Sequence, residues 1–422
     1  MPVKDGWPLD QGDDADLLLK ARDAFPPGGF DKIAVAVSGG GDSIALLHLL
    51  HRSAPHSGWT LQAVTVNHGL RDGSDIEAAG VAAFCASLGV PHAVLKWDHG
   101  AIAGNVMDAA RQARMRLIGE WAKAHSVTHV ALGHTADDQA ETFLMGLARA
   151  SGLDGLSGMR TFWREDDIMW GRPVLRHSRA DLRAYLRRHG IGWVDDPTND
   201  DESYTRIKAR KAVAALAPLG VTVKGLSVTI ANLAVARHAL RDTLAQAVSQ
   251  HVIEQTGALQ IDRAAFAALP LDLQRRMLMA AIGWLTGDIY PPRNEKQATL
   301  LFAMREGRDA TLNGCRFRIG GDSMRIVREA KAVANLETPT TAVWDHRWVM
   351  DGSHAPDLTI RALGDGLRQV PNWRDTGLPR DALLVSPAIW RGDALVAAPV
   401  AGFAQGWSAK LQRDFVSFLL SH

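Results

Sequence analysis

The stretch VAVSGGGDS, residues 35–43, places three glycines between a short apolar run and an Asp–Ser pair. It has no lysine, so it is not the G-x-x-x-x-G-K-S/T phosphate loop, and Ile44 stands where the G-x-G-x-x-G dinucleotide fingerprint has its third glycine. Backbone N–H groups at a strand-to-helix turn still form a cradle for anionic oxygens. The alternative is an ordinary turn with a capping Asp and Ser. We predict a phosphate-binding loop made of Ser38, Gly39, Gly40, Gly41, Asp42 and Ser43.

Apolar runs and helical patterns alternate around this loop. Strands are predicted at 32–37, 61–66, 92–97 and 127–132, and helices at 42–52, 75–88, 108–125 and 135–149. This alternation is typical of βαβ units and predicts an α/β fold with a parallel sheet covered on both faces. Ligands bind outside the carboxyl ends of such strands. Three polar segments begin at these ends: SGGGDS (38–43), VNHGLR (66–71) and LGHTADDQAET (132–142).

Length and composition limit the class of protein. The chain has 422 residues, 46% of them hydrophobic, which predicts two or three globular domains. Its two cysteines, Cys85 and Cys315, argue against a disulfide framework or a cysteine-ligated metal cluster and fit a reducing compartment. The acidic N-terminus lacks the apolar region of a signal peptide, and no uncharged run predicts a membrane span, so we expect a cytoplasmic protein. A net charge of +1 means that any nucleic-acid site must be a local patch.

The pattern changes after residue 211. Residues 223–254 read as one long helix and 264–306 as further helices, followed by a hairpin at 311–329 that turns at Gly320-Gly321-Asp322. Short apolar runs between prolines and glycines fill the last part of the chain. We predict an N-terminal extension (1–30), a catalytic domain (31–211), a mainly helical region with a hairpin (212–335) and a small strand-containing domain (336–422).

Acidic residues follow two of the predicted strands. Asp42 comes directly after the glycines, where a carboxylate beside phosphate makes electrostatic sense chiefly with a bridging Mg²⁺. In LGHTADDQAET, His134 ends a strand, and Asp138 and Glu141 lie three residues apart on one helix face. Acids in a first helical turn are also common for the helix dipole alone. We interpret the pair as an ion or amine site, with Asp137 as a lesser candidate.

Other polar segments are weaker signals. Asn67 could cap a turn, and Arg111 and Arg114 could form a solvated helix face. Ten Lys or Arg residues against six acids give residues 172–211 a net charge of +4, with Tyr185, Trp193 and Tyr204 interleaved. Such a patch suits a phosphate backbone, although a charged helix surface is a common alternative.

Together these motifs resemble a known family. SGGGDS is similar to the SGGxDS loop of the PP-loop ATP pyrophosphatases, a group with the adenine nucleotide α hydrolase-like fold. The order SGGGDS, VNHGLR, AARQAR, LGHTADDQAETFLMGLARASGLDGLSGM, RPVL and DDPTND resembles the tRNA(Ile)-lysidine synthetase family, densely over residues 30–211. The resemblance implies ATP-dependent adenylation of C2–O of the wobble cytidine in the CAU anticodon of an isoleucine tRNA. L-lysine then displaces AMP to form lysidine.

The resemblance also implies roles for single residues. It implies ATP and Mg²⁺ at the glycine loop and lysine at Asp137, Asp138 and Glu141. Asp42, Arg111, His134, Asp138 and Glu141 match catalytic positions, and Arg149, Arg206 and Arg210 are expected to contact tRNA. The chain departs from the family pattern at Ile207, where an Asn is usual, and at Asn67, where an Asp is commoner.

Two alternative functions remain open at this point. A PP-loop tRNA thiolase would need cysteines to carry sulfur, and neither cysteine lies in a C-x-x-C motif. A non-catalytic tRNA-binding protein would not need Asp42 or the acid cluster. In either case the C-terminal half is expected to contact tRNA, and its candidate phosphate partners are Arg316, Arg318, Arg325 and Arg328.

Overall fold

The structure, a computed structural model, describes residues 14–23, 25, 30–69, 73–100, 106–165, 167–194, 205–288 and 291–421. The chain divides into two compact units, 1–237 and 238–422. Within the described ranges no single helix is both long and apolar enough to cross a membrane. The segments Thr205–Leu219 and Val223–His251 reach that length and composition only as a pair bent by 103°.

Six strands of the first unit form one sheet. They are β1 (Lys32–Ala36), β2 (Thr60–Asn67), β3 (His92–Lys96), β4 (His129–Leu132), β5 (Phe162–Glu165) and β6 (Ile168–Gly171). Their order across the sheet is β3-β2-β1-β4-β6-β5, and all neighbours are parallel except β5, which runs antiparallel to β6. The predicted parallel sheet is confirmed, whereas β5 and β6 were not predicted.

Helices cover both faces of this sheet. The first eight helices that the structure describes are α1 (Ala15–Arg22), α2 (Gly41–Ser57), α3 (Ser74–Ser87), α4 (Val106–Ala124), α5 (Ala136–Ala148), α6 (Leu153–Leu156), α7 (Arg179–Arg188) and α8 (Thr205–Leu216). Successive β1 side chains enter opposite layers: Ile33 packs in a cluster with Leu46 and Leu182, and Ala34 in one with Ile118. Because strand side chains alternate in direction, this pattern confirms that both faces are buried.

The sheet order decides where a ligand can bind. Ile33 of β1 pairs with Leu61 of β2 on one side and with His129 of β4 on the other. The chain therefore reverses its direction across the sheet between β1 and β4, which is the topological switch point where open α/β sheets bind ligands. The glycine loop follows β1, and the LGHTADDQAET segment follows β4.

A 29-residue helix, α9 (Val223–His251), leads into the second unit. There the helices are α10 (Arg263–Ala268), α11 (Leu271–Thr286), α12 (Asn294–Arg305), α13 (Ala330–Val333), α14 (Arg380–Leu384) and α15 (Phe415–Ser421). The strands are β7 (Val252–Gln255), β8 (Ala258–Asp262), β9 (Ala310–Leu312), β10 (Cys315–Gly320), β11 (Ser323–Arg328), β12 (Thr338–Pro339), β13 (Trp348–Asp351), β14 (Thr359–Ala362), β15 (Pro387–Arg391), β16 (Ala394–Ala397) and β17 (Ser408–Leu411). Short 3-10 turns lie at Ala217–Leu219, Gly364–Gln369, Trp373–Thr376 and Pro399–Ala401.

Three sheets order these strands, as β7-β8-β11-β10-β9, β12-β14-β15-β16 and β13-β17. The predicted hairpin is confirmed, because β10 and β11 are antiparallel and Gly320 pairs with Ser323. The predicted helix 223–254 is wrong at its end. The β-branched Val252 and Ile253 belong to β7, where Val252 pairs with Ile261 of β8, so sheet pairing overrides the helical pattern.

The last helix shares a core with segments far from it in sequence. Phe415 of α15 packs against Trp284 of α11, with ring centroids 5.7 Å apart. This contact joins residues on both sides of the predicted boundary at 335/336. The four-part division of the chain stays a prediction.

Candidate active site

The loop between β1 and α2 is held in shape by Ser43. Its hydroxyl accepts a hydrogen bond from the Ser38 backbone N–H (3.1 Å) and donates one to the Gly40 carbonyl (2.9 Å). Gly39 has a φ of +83°, which side-chain-bearing residues rarely adopt, and α2 begins at Gly41. The backbone thus turns tightly onto a helix N-terminus, as an anion cradle requires.

The end of β4 lies directly against this turn. A Cβ built on Gly133 would stand 3.0 Å from the Ser43 Cα and 3.1 Å from its nitrogen, so only glycine fits there without displacement. This contact brings the loop after β4 to the loop after β1. The sequence interpretation missed Gly133, although a glycine directly after a strand at a switch point is a signal of close backbone approach.

Trp193 covers the other side of the loop. Its indole lies 3.3 Å from the position that a Gly41 Cβ would take, and the Val194 N–H donates to the Gly39 carbonyl (3.1 Å). Trp193 therefore packs against the glycine loop and supports its shape. Tyr185, counted with Trp193 in the basic stretch 172–211, is fully buried in the core.

Asp42, the first acid after the glycines, is half-buried. Its Oδ2 accepts a hydrogen bond from Nε of Arg179 (3.1 Å), while its Oδ1 is buried and has no hydrogen-bond partner among the described residues. Burial raises the pKa of Asp42, and the opposing attraction of Arg179 does not offset it. A carboxylate oxygen held in this way is suited to a metal ion that arrives with a ligand.

Asp138 and Asp137 at the start of α5 both make structural contacts. Oδ2 of Asp138 accepts from the N–H (2.8 Å) and the hydroxyl (2.9 Å) of Thr135, which completes a capping box. Oδ1 of Asp138 lies 3.5 Å from Nη2 of Arg179. Asp137 accepts the backbone N–H of Arg179 at 2.7 Å and so caps α7. Oδ2 of Asp138 therefore caps the helix, as the alternative interpretation expects, while Oδ1 faces the guanidinium of Arg179.

Glu141 is buried among three arginines. Oε1 lies 2.8 Å from Nε of Arg210 and 3.6 Å from Nη1 of Arg179, and Oε2 lies 3.4 Å from Nε of Arg206. Only 2% of its side chain is exposed, and Oε2 has no hydrogen bond within the described structure. Arg206 and Arg210, predicted as tRNA contacts, therefore pair with this acid in the structure.

Arg179 links the two acidic segments and was not predicted to do so. Its guanidinium contacts Asp42, Asp138 and Glu141, and these carboxylates raise its pKa although burial alone would lower it. The sequence counts Arg179 only as one cation of a basic stretch. One signal was available: the capping box Ser178-x-x-Asp181 puts Arg179 in a first helical turn, where the dipole disfavours a cation unless acids lie nearby.

His134, at the end of β4, is neutral in this structure. Its Nδ1 accepts a hydrogen bond from Nε of Arg172 (3.1 Å), and burial together with Arg172 lowers its pKa to about 3. Because Nδ1 accepts, the proton of the neutral ring lies on Nε2, and His134 presents a hydrogen-bond donor. Arg172 is itself buried, donates to the Arg160 carbonyl (2.6 Å) and lies 4.1 Å from the Trp163 ring centre.

The remaining predicted residues lie farther from the acids. Arg111 is exposed on α4. Burial lowers the pKa of Arg172 and of Arg114, and the positive charge of Arg111 lowers both pKa values further. Arg149 is exposed at the C-terminal end of α5, about 16 Å along the helix from Asp138. The structure thus places Arg111 near the His134 side of the site and leaves Arg149 outside it.

Asn67 caps a turn, which is one of the roles considered for it from the sequence. Its Oδ1 accepts from the Gly69 N–H (3.0 Å), and its Nδ2 donates to Asp75 of α3 (2.6 Å). Arg71 of the same motif, the DDPTND segment (195–200) and Tyr204 lie outside the described residues. Ile207 is buried on α8, which packs against α5, so an apolar side chain suits this position.

The cysteines are poor candidates for redox or sulfur chemistry. Cys85 and Cys315 are both free and buried, and burial raises their pKa to about 11 and about 12 respectively. A thiol with a raised pKa is a weak nucleophile at neutral pH. Within the part of the chain that the structure describes, no group of three or more His, Cys, Asp or Glu residues is arranged to hold a metal ion.

Of the C-terminal arginines, Arg328 was predicted wrongly. It is buried and paired with Asp345 at 2.8 Å, so it cannot reach a phosphate. Arg325 pairs with Asp381 (3.2 Å) and Arg318 with Asp309 (3.4 Å), while Arg316 is exposed on β10.

Comparison of the sequence with known proteins matches the chain to a family. The PP-loop domain family matches residues 16–217. A tRNA(Ile)-lysidine synthase from Ruegeria pomeroyi is 45% identical over 411 residues, which cover 96% of this chain and 98% of that protein. A tRNA(Ile)-lysidine synthase from Wolbachia pipientis wMel is 34% identical over 330 residues, covering 75% of this chain and 76% of that protein.

One solved structure shows a distant likeness. A U34-tRNA thiolase from Methanococcus maripaludis, solved with its 4Fe-4S cluster, covers 53% of this chain and 77% of its own, with 16% identity and a TM-score of 0.45. A likeness of this size carries no inference about function.

Proposed function

The chain belongs to the tRNA(Ile)-lysidine synthase family, and we propose that its substrate is an isoleucine tRNA with the anticodon CAU. The enzyme uses ATP to adenylate the oxygen on C2 of the wobble cytidine, which releases pyrophosphate. The ε-amine of L-lysine then attacks C2, the C2–O bond breaks, and AMP leaves. The product is lysidine, which changes codon reading from AUG to AUA.

One observation carries this proposal. Asp42, which follows the phosphate loop, and the acids Asp138 and Glu141 all contact one cation, Arg179. A site for a nucleotide and a site for a positively charged amine are therefore adjacent. A reaction that joins an adenylated base to an amine requires this arrangement.

The phosphate loop supplies the ATP site. The backbone N–H groups at the N-terminus of α2 cradle the phosphates, and Gly133 and Trp193 keep the loop in shape. Mg²⁺ fits beside it because the Oδ1 of Asp42 is a buried acceptor without a partner among the described residues. Asp42 would hold this ion, which would supply positive charge beside the ATP phosphates.

The acids at the start of α5 supply the lysine site. At pH 7 the ε-amine, with an ordinary pKa of about 10.4, is neutral in only roughly one molecule in a few thousand. Asp138 and Glu141 hold the ammonium and raise its pKa further, so they favour binding and oppose deprotonation. The proton therefore leaves after the adenylate has formed, to a base or to the departing phosphate.

His134 acts as a donor in this scheme. Its low pKa and its hydrogen bond from Arg172 make it a poor base in the ligand-free enzyme. The Nε2–H is instead suited to an oxygen that gains negative charge during adenylation. Arg172 and Arg111 add positive charge on the same side, where they stabilise that oxygen or a phosphate.

We assign the tRNA contacts to three arginines. Arg206 and Arg210 pair with Glu141, yet their side chains are 39% and 35% exposed and can also meet a phosphate. Arg149 offers an exposed cation at the other end of α5. The buried, unreactive cysteines speak against a thiolase, and they fit the cytoplasmic location that we include in the proposal.

The deciding experiment is nucleoside mass spectrometry of an unmodified isoleucine CAU tRNA after incubation with the protein, ATP, Mg²⁺ and L-lysine. We expect lysidine at one position per tRNA, with one AMP released per lysidine. The methionine tRNA with the same CAU anticodon is the matched substrate control. Thiolated nucleosides formed with a sulfur donor, or tRNA binding without any AMP release, would favour one of the two alternatives instead.

A further inference from the structure

We propose that Arg179 is an internal substitute for the substrate's ammonium group. In the structure its guanidinium pairs with the carboxylates of the proposed lysine site, and bound ATP draws it to the phosphates. Lysine then binds tightly only after the nucleotide. This inference rests on the proposed function and specifies how its two small substrates are ordered.

The guanidinium of Arg179 lies among the carboxylates of the proposed lysine site. Its three guanidinium nitrogens lie 3.1 Å from Asp42, 3.5 Å from Asp138 and 3.6 Å from Glu141. Only 18% of its side chain is exposed. An ammonium that pairs with Oδ1 of Asp138 and with Oε1 of Glu141 would therefore meet the guanidinium of Arg179 at both oxygens.

The charges of this network leave little room for a second cation. Its four carboxylates are those of Asp42, Asp137, Asp138 and Glu141, and its three guanidinium groups are those of Arg179, Arg206 and Arg210. Arg179 contacts three of these carboxylates, so its departure removes one positive charge from beside them. The attraction for an incoming ammonium thus rises when Arg179 moves away.

The anchoring of Arg179 suits an exchange of its side chain. Its backbone N–H is fixed by Asp137 (2.7 Å) at the first position of α7, so the main chain stays in place while the guanidinium moves. Nε of Arg179 donates to Asp42 at an ordinary 3.1 Å, whereas Nη2 lies 3.5 Å from Oδ1 of Asp138, beyond the usual range of about 2.7–3.2 Å. The contact with Asp138 is therefore weaker than a well-formed charge-assisted hydrogen bond.

Bound ATP supplies the competing partner. Asp42 lies directly after the phosphate loop, so the contact of Arg179 with Asp42 places the guanidinium beside the nucleotide site. Guanidinium groups bind phosphate oxygens in a bidentate manner, and a Mg²⁺ ion held by Asp42 would compete with Arg179 for that carboxylate. Arg206 and Arg210 pair with Glu141, and within the described residues neither contacts Asp42.

Exchange of one cation between two ligand sites makes their binding cooperative. The nucleotide then tightens lysine binding by about tenfold, and lysine tightens nucleotide binding by the same factor, because coupling free energies are reciprocal. A residue that merely held the acids in position would have the opposite signature, since its removal would weaken lysine binding.

The test measures equilibrium binding of radiolabelled L-lysine to the full-length protein by dialysis. It is done with and without Mg²⁺ and the ATP analogue with a methylene bridge between its α- and β-phosphates. We expect the analogue to tighten binding to the wild-type protein about tenfold. In Arg179→Gln we expect tight binding without the analogue and less than about a twofold further effect of it. Arg116→Gln, which removes an exposed cation from α4, is the matched control and should behave as wild type.

Two results would overturn the proposal. One is equal lysine affinity of the wild type with and without the analogue, which needs no variant and so does not depend on Arg179→Gln folding. The other is weaker lysine binding in Arg179→Gln. The lysidine assay reads the proposed function separately: a wild type that forms lysidine but shows no coupling retains that function and refutes only the exchange.

Discussion

At the scale of single residues, the site is dominated by carboxylates and guanidinium groups that are largely withdrawn from water. Glu141 is tolerated in the interior because Arg179, Arg206 and Arg210 surround it. Burying a pair of charges costs desolvation energy, and breaking such a pair leaves an uncompensated charge. A network of this kind contributes little to stability, and the proposed binding of charged substrates explains it better.

The first prediction concerns Asp42. Asp42→Asn should lower ATP-dependent AMP release by about 100-fold or more, because it removes the carboxylate that we propose to hold Mg²⁺. Binding of tRNA should persist. Since burial raises the pKa of Asp42, its charge destabilises the ligand-free protein, so the melting temperature of Asp42→Asn should equal or exceed that of the wild type.

AMP release, tRNA binding and thermal melting are the three measurements for this variant. Glu120→Gln is the matched control, because it removes an exposed carboxylate from α4 and should leave all three unchanged. Wild-type AMP release by Asp42→Asn would mean that Asp42 only caps α2.

The second prediction concerns His48, whose Nδ1 lies 2.6 Å from the Tyr185 hydroxyl. Burial, with smaller effects of His189, Arg52 and His51, lowers the pKa of His48 to about 4 from an ordinary 6.5. Between these values the unfolded chain binds a proton that the folded chain refuses, so stability falls as the pH drops from about 6.5 towards 4.

In His48→Gln this source of acid sensitivity is absent, and the amide can still bond Tyr185. We expect the melting temperature of the variant to fall less steeply than that of the wild type between pH 7 and pH 5. Thermal melts at three pH values check this. Parallel curves for the two proteins would show that His48 is protonated equally in the folded and unfolded states.

At the scale of elements, the site depends on how closely two strand-to-helix connections approach. Gly133 after β4 lies against Ser43 in the first turn of α2, and the atoms that a Cβ would meet are backbone atoms, which cannot rotate away. The loop after β4 thus fixes the position of the phosphate loop after β1.

The third prediction follows from this contact. Gly133→Ala should destabilise the protein by about 1–3 kcal/mol through overpacking. It should also raise the KM for ATP, because the start of α2 must shift by a few tenths of an ångström. The measurements are a urea melt and initial rates against ATP concentration.

Gly80→Ala in α3 is the control for this substitution. No atom lies within 4 Å of the added Cβ there, and alanine favours a helix. That variant should match or exceed the wild-type stability with an unchanged KM. An unchanged KM in Gly133→Ala as well would show that the two loops move independently.

At the scale of the whole molecule, the contacts that make up the candidate active site lie in the first unit. The phosphate loop, the acids and their arginines all fall within residues 1–237. Leu226 and Ile230 of α9 are buried, so a protein cut at the predicted boundary of 211/212 would lose core residues. Truncation after residue 237 is the sharper test.

The fourth prediction is that residues 1–237 retain ATP binding and lose tRNA affinity by about tenfold or more, as expected when several phosphate contacts are removed. Equilibrium binding of the nucleotide and of isoleucine tRNA, each compared with the full chain, checks this. Undiminished tRNA affinity of the truncated protein would refute a division of labour between chemistry and tRNA recognition.

The local sequence pattern determined the first four strands of this protein and the loops that follow them. Alternating apolar runs and helical segments predict β1 to β4 within two residues of their ends, because strand and helix periodicities depend on neighbouring residues. The same alternation places the glycine loop and the segment containing His134 at carboxyl ends of strands. The predicted acids Asp42, Asp138 and Glu141 accordingly contact one cation in the structure.

Only the tertiary structure decided which charged side chains pair with each other. Arg179 contacts Asp42 across 137 residues of sequence, and Arg210 contacts Glu141 across 69. Sequence spacing cannot show which member of a basic stretch turns inwards, because burial of a charge depends on every group that surrounds it. For the same reason Arg328, predicted to face a phosphate, is instead buried against Asp345. The sequence thus determined which chemical groups this protein has, and the fold decided which of them meet.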